Sequence, residues 1–156
     1  MIFNFNTMKR LFLAGAVLLC ASCYREIPKM ADGYYAAEFK NFDAYGWKEY
    51  IAVYVNKNKI VTVEYNAKNA SGLIKSWDMD YMRRMNAEDN NYPNRYTRNY
   101  AVALLTHQDP AGIDAMTGAT DSCRTFKLLA EAVIAQARAG DKRVAFVELP
   151  RDEDEQ

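Results

Sequence analysis

Apolar residues recur along this chain with a period of two in several short runs, and each run predicts a β-strand. The alternating runs are Gly33 to Phe39, residues 47–55 and residues 60–65. The last two are joined by the polar residues 56–59, which predicts an antiparallel hairpin. Within residues 60–65, Val61, Val63 and Tyr65 are predicted to share one face. Val144 to Leu149 is expected to add a strand at a sheet edge.

Helical spacing appears in the second half of the chain. It predicts a short helix at residues 78–86, a helix at 95–108 capped by Asn94, and a long helix from Ser122 to Ala139 that stops at Gly140. The predicted inward stripe of the long helix is Phe126, Leu129, Ala130, Val133 and Ala137. These elements predict one α+β domain: a small antiparallel sheet with a hairpin, packed by two or three helices.

Composition narrows the function classes. The 156 residues are 50% hydrophobic and 26% charged, which is ordinary for a globular protein with a real core. Lys plus Arg and Asp plus Glu both number 20, so the chain has no basic excess for nucleic-acid phosphates. We therefore expect no nucleic-acid binding.

The N-terminus has the layout of a secretory leader. Lys9 and Arg10 precede the short apolar run Leu11 to Leu19, and small residues then lead to Cys23. This ending resembles the lipobox of bacterial lipoproteins, in which the cysteine is lipidated. A redox or metal pair of Cys20 and Cys23 is the alternative, but no second cysteine pair completes a zinc site.

This interpretation divides the chain into four parts. Residues 1–22 are a lipoprotein signal peptide, residues 23–31 a tether, residues 32–149 the folded domain, and residues 150–156 an acidic disordered tail. The mature protein is then expected outside the cytoplasm, held on a bacterial membrane by lipid on Cys23.

The segment Asp114-Ala115-Met116-Thr117-Gly118-Ala119-Thr120 directly precedes the long predicted helix. Gly118 and Ala119 allow a turn and leave room for a bulky group. The first N–H groups of a helix lack partners and suit a phosphate, so a phosphate on Thr120 would lie beside donors. The alternative is that Thr120 or Ser122 simply caps the helix.

This motif resembles the flavin-attachment motif of the bacterial FMN-binding domain family, whose members carry FMN as a phosphoester on the last threonine. The resemblance extends from about Gly33 to Ala139 and includes the opening Asp32-Gly33-Tyr34-Tyr35. It implies covalent FMN on Thr120, with Thr117, Gly118 and Ala119 shaping the turn. Asp114 is expected to fix the loop through backbone N–H groups or to assist the attachment, or else to be an ordinary turn residue.

The resemblance also implies partners and a mode of action. A separate Mg²⁺-dependent transferase would move FMN from FAD to the threonine, and the protein would carry electrons from a membrane donor rather than act as an enzyme. The alternative is a non-flavinylated lipoprotein that serves as a binding or signalling module. Non-covalent FMN binding as a reductase is disfavoured, because no nicotinamide site is recognisable.

Three further expectations concern single side chains. Trp77 or a nearby tyrosine such as Tyr81 could form the flat apolar wall that a flavin ring requires. His107, near a helix end, is expected to interact with the helix dipole rather than act as a base. Cys123 is expected to be a small buried apolar filler. No histidine, cysteine or carboxylate pattern indicates a metal site.

Overall fold

The computed structural model describes residues 27–150 and places four strands in one sheet. The strands are β1 (Gly33–Phe39), β2 (Lys48–Asn56), β3 (Lys59–Lys68) and β4 (Ala145–Val147), in the order β3-β2-β1-β4. The first three pair antiparallel, whereas β4 pairs parallel with β1. The predicted α+β fold is therefore confirmed, with a mixed sheet in place of a wholly antiparallel one.

The hairpin between β2 and β3 turns on two residues. Lys57 and Asn58 have φ angles of 51° and 62°, the left-handed pair that a tight hairpin with twisted strands requires. The predicted hairpin is confirmed, and β3 continues to Lys68, beyond the alternating run that identified it.

A β-bulge changes the faces of β3. Tyr54 pairs with Thr62 but the next residue, Val55, pairs with Ile60, so Val61 is left out of the register. Ile60 is consequently buried and Val61 is 46% exposed. The prediction that Val61 shares a face with Tyr65 is wrong, because the extra residue shifts the alternation and leaves Val61 exposed while Tyr65 is buried.

Three α-helices follow the hairpin: α1 (Met79–Asp89), α2 (Pro93–His107) and α3 (Thr120–Ala139). The Asp78 side chain caps α1 by accepting hydrogen bonds from two backbone N–H groups of its first turn. The predicted Asn94 cap of α2 is wrong, since the helix already begins at Pro93, a favourable first residue for a helix. One-turn 3-10 helices lie at Lys75–Trp77 and Pro110–Gly112.

The core lies between the sheet and helices α2 and α3. The inward face of α3 is confirmed in full, since each of its five predicted residues is 0% exposed. The largest fully buried side chains are Tyr35, Tyr96, Tyr100, Phe39, Phe126, Ile51, Leu104, Leu129, Val53, Val55 and Val133, together with Asn91. Helix α3 ends, as predicted, at Gly140, whose φ of 67° places it in the left-handed conformation that terminates helices.

Within residues 27–150, no helix is both long enough and apolar enough to span a membrane. The predicted signal peptide, Cys23 and the acidic residues 151–156 lie outside the described residues.

Candidate functional site

The loop before α3 approaches the end of α1 more closely than any side chain would allow. Gly118 has a φ of 72°, and a Cβ built on it would lie 2.4 Å from the backbone oxygen of Asp89 and 3.1 Å from the Cβ of Asn91. Real Cβ atoms essentially never approach other atoms to less than 3.0 Å. Glycine is thus required at this position both for its backbone conformation and for the missing side chain.

Two buried polar side chains hold the loop. The Asn91 amide, 1% exposed, donates a hydrogen bond of 2.9 Å to the Thr117 carbonyl. The Tyr100 hydroxyl donates to the Ala119 carbonyl at 2.9 Å and accepts from the Met116 N–H at 3.1 Å. None of these three hydrogen bonds could be predicted from the sequence, because they join positions 16 to 26 residues apart.

Thr120 is the first residue of α3, which begins two residues before the predicted start at Ser122. Ala119 occupies the N-cap position and supplies no side-chain hydrogen bond. The exposed Thr120 hydroxyl makes no hydrogen bond to any other residue of 27–150, so it does not cap the helix. The first paired N–H of the helix is that of Cys123, which donates to the Ala119 carbonyl at 3.0 Å.

The other two candidates in the motif lie farther from the start of α3. Thr117 and Asp114 are both exposed. The Asp114 carboxylate makes no hydrogen bond within the described chain. The expectation that it fixes the loop through backbone N–H groups is therefore not met. Asn91 and Tyr100 hold the loop instead.

A cavity of about 670 Å³ opens beside the start of α3. Its volume is in the range of pockets that hold drug-sized ligands. Gly118, Ala119 and Thr120 line it, whereas Asp114 and Thr117 do not. Its remaining lining residues are Phe39, Asp43, Ala44, Tyr45, Trp47, Glu49, Lys75, Tyr81, Arg84, Met85, Glu88, Asp89, Tyr96, Asp121, Ser122, Arg124, Thr125, Leu149 and Pro150.

An aromatic wall, formed by Trp47 and Tyr81, also lines the cavity. The two rings meet edge to face, with centroids 5.6 Å apart. Tyr81 was one of the two aromatic candidates. The other, Trp77, is 70% exposed and does not line the cavity. Trp47, which the sequence analysis did not single out, is 5% exposed and takes its place.

Lys75 belongs to the same wall. Its ammonium lies 5.0 Å from the Tyr81 ring centroid and 5.8 Å from that of Trp47, distances at which a cation is attracted to the ring face. The residue is 6% exposed, and its ammonium forms no hydrogen bond or ion pair with another residue of 27–150. Lysines are rarely buried unless they are paired.

A buried carboxyl also lines the cavity. Glu49 accepts a hydrogen bond of 2.9 Å from the Tyr65 hydroxyl. Burial raises the pKa of Glu49 above its usual value, although hydrogen bonds and the charge of Lys75 oppose this shift. Burial, reinforced by the Glu49 charge, raises the pKa of Tyr65 well above its usual value, so this hydroxyl stays a donor.

The remaining candidates behave as ordinary structural residues. Cys123 is a buried free thiol, as predicted for an apolar filler. His107 lies in the last turn of α2, where the dipole interaction was expected. No group of three or more histidine, cysteine or acidic residues within 27–150 is arranged to hold a metal ion.

Comparison with known proteins identifies a relative over most of the chain. The sequence is 38% identical to the 15 kDa lipoprotein of Treponema pallidum over 133 residues, which is 85% of this chain and 92% of that protein. The chain belongs to the family of this lipoprotein. That membership supports the predicted lipoprotein character, and no model of a known protein family matches the sequence.

A solved structure resembles this member of the lipoprotein family. The crystal structure of the CPE2226 protein from Clostridium perfringens matches with a TM-score of 0.75 and 33% identity. The match covers 78% of this chain and 99% of that one. The fold is therefore shared across most of the Clostridium protein.

Proposed function

We propose that this protein is a membrane-anchored, extracytoplasmic electron-transfer flavoprotein that carries FMN through a phosphoester on Thr120. The observation that carries the proposal is the position of this threonine: its hydroxyl is exposed and unbonded within the described chain, at the first turn of α3, on the wall of a cavity of about 670 Å³. The resemblance of residues 114–120 to the flavin-attachment motif supports the same residue.

The start of α3 suits the phosphate of such an ester. The N–H groups of Thr120, Asp121 and Ser122 have no backbone or side-chain acceptor within residues 27–150. These donors point out of the helix at the positive end of its dipole, which favours an anion. No rearrangement of a capping side chain would be needed to receive it, because Ala119 provides none.

The cavity suits the ring system. Trp47 and Tyr81 offer an aromatic wall, and pockets lined by such side chains commonly hold flat heteroaromatic ligands. FMN would supply the redox chemistry, which belongs to the cofactor. The chain itself would bind, orient and retain the group, and the covalent bond would prevent its loss outside the cytoplasm. The proposed partners are an FMN transferase and a membrane electron donor.

Mass spectrometry tests the attachment. The protein is co-expressed with a Mg²⁺-dependent FMN transferase, and the intact mass is expected to rise by one FMN minus one water, with the modified peptide containing Thr120. Thr120→Ala should remain folded, since its side chain is not bonded in the fold, and should carry no flavin. Thr117→Ala is the matched control: the attachment oxygen remains, so modification should be weakened rather than abolished.

A wild-type protein of unshifted mass beside an active transferase would contradict the proposal. The non-flavinylated lipoprotein that binds or signals to a partner would then take its place.

The anchor is tested separately by metabolic labelling with a fatty-acid analogue. The wild type should be labelled and Cys23→Ala should not, because the leader sequence assigns the lipid to this cysteine. A lipoprotein anchor carries several acyl chains, so the wild type should stay with the membrane fraction. Label retained in Cys23→Ala would contradict the assignment.

A further inference from the structure

Lys75 is a cation of this cavity whose hydrogen-bond donors are not used by the described residues. Its side chain lies beside Trp47 and Tyr81 and lines the cavity, but it makes no hydrogen bond or ion pair with any residue of 27–150. The stem of Lys75 is buried, but its ammonium reaches the interior of the cavity, since no side-chain nitrogen of residues 27–150 is both shut off from solvent and without a hydrogen-bond partner. This ammonium is therefore available to an anionic or electron-rich group of a ligand that enters the cavity.

The position of Lys75 indicates which part of a ligand it would meet. It comes from the one-turn helix Lys75–Trp77, after β3, and lies against the aromatic wall, whereas the unpaired N–H groups belong to α3. A phosphate held at the start of α3 would use those donors. A flat ring against Trp47 and Tyr81 would place its polar edge near the ammonium.

We propose that Lys75 binds the carbonyl-bearing edge of the flavin ring and stabilises the ring's reduced, anionic form over its oxidised form. The inference rests on the proposed function for the identity of the ring. Uptake of two electrons and one proton from a reductant leaves the flavin ring with one net negative charge. An ammonium in a partly desolvated site stabilises that charge more than it stabilises the neutral oxidised ring. Lys75 is thus a positioning and tuning residue.

The nearby carboxyl does not remove this role. Glu49 interacts electrostatically with Lys75, but its hydrogen-bonded partner in the structure is the Tyr65 hydroxyl, and no ion pair joins Glu49 to Lys75. The ammonium keeps its donors for a ligand.

The first experiment measures the potential of the attached flavin. The full-length lipoprotein is purified in detergent after co-expression with the transferase, loading is verified by intact mass, and dithionite titration is followed by absorbance. Lys75→Met should reduce the preference of the site for reduced over oxidised flavin about tenfold. This change lowers a two-electron midpoint potential by about 30 mV. Lys75→Arg, which keeps the charge, should stay near the wild type.

The matched control is Lys59→Met, which removes an exposed lysine from β3 that does not line the cavity. It should leave the potential unchanged. Equal potentials in the wild type and Lys75→Met would overturn the inference, and so would an equal shift in Lys59→Met. The covalent attachment would stand in either case.

The second experiment does not depend on covalent loading. Unmodified full-length protein is titrated with free FMN under oxidising conditions and again with dithionite, and binding is measured by equilibrium dialysis. Reduced FMN should bind the wild type more tightly than oxidised FMN, and Lys75→Met should lose that preference about tenfold. If the transferase leaves the protein unmodified but Lys75→Met still loses the preference for reduced FMN, the proposed function is refuted and the inference about Lys75 stands. Absence of any Lys75 dependence would refute the inference alone.

Discussion

Replacing Gly118 by alanine tests the geometry on which the whole site depends. At this position the new Cβ would lie 2.4 Å from the Asp89 backbone oxygen, and a backbone atom cannot yield as the end of a flexible side chain can. The φ of 72° adds a second cost, because the left-handed conformation disfavours residues with a Cβ by about 1–2 kcal/mol.

The chain contains a matched control for the first of these two costs. Gly72 has a φ of 85°, but a Cβ built on it would meet no atom within 4 Å. Gly72→Ala therefore measures the conformational penalty alone, reduced by the lower entropy of the unfolded alanine chain, and should cost about 1 kcal/mol. Gly118→Ala adds the steric term, for which overpacking changes give about 1–3 kcal/mol.

The assay is urea unfolding of the purified wild type and the two variants, followed by circular dichroism. Gly118→Ala should lower the free energy of unfolding by about 1–3 kcal/mol more than Gly72→Ala, with unchanged slopes in urea. The yield of flavinylated protein should fall with it, because the loop carries Thr120. A difference below about 0.5 kcal/mol between the variants would be ordinary surface behaviour and would refute the close approach of this loop to α1.

Two further predictions concern buried polar groups. Tyr100→Phe should lower the free energy of unfolding in urea by about 1–3 kcal/mol, because the Met116 N–H and the Ala119 carbonyl lose their hydroxyl partner. The control Tyr45→Phe changes a side chain that is 79% exposed and should be neutral. Equal effects of the two variants would contradict the role of the Tyr100 hydroxyl in holding the loop. Because burial raises the pKa of Glu49, the unfolded chain loses this proton at a lower pH than the folded chain does. The free energy of unfolding of the wild type should therefore fall relative to that of Glu49→Gln as the pH rises above 4.5, and the difference should level off above the raised pKa. A constant difference between pH 4 and 8 would contradict the shift.

The elements that follow a regular pattern could be predicted from the sequence. The bounds of β1 and the inward face of α3 follow from periods of two and 3.6, because burial against one layer repeats with the backbone geometry. The pattern failed at Val61, where one unpaired residue of a bulge inverts the alternation. Parallel pairing of β4 also escaped prediction, since a three-residue strand carries little information on its partner.

The motif was visible in the sequence, but the cavity around it was not. Lys75 lies in the connection between β3 and α1, where a lysine is normally solvated, and nothing local indicates that it is buried against Trp47 and Tyr81. These three residues come from separate elements, so their contact is a property of the tertiary structure. The choice between Trp77 and Trp47 for the aromatic wall could not be made from propensity for the same reason.

Helix α3 has no capping side chain at its N-terminus, where the phosphate is proposed to bind. Serine, threonine, aspartate or asparagine in place of Ala119 would stabilise the helix by about 1 kcal/mol, and Thr120 lies one residue too late to do so. The buried stripe from Cys123 to Ala137 holds the helix without that contribution. A capping side chain would occupy the N–H groups that a phosphate needs. The absence of a capping side chain at the start of α3 is therefore consistent with a chain that keeps these N–H donors for a bound anion. Ala119→Ser tests this idea, because the serine hydroxyl would compete with the anion for the same N–H groups.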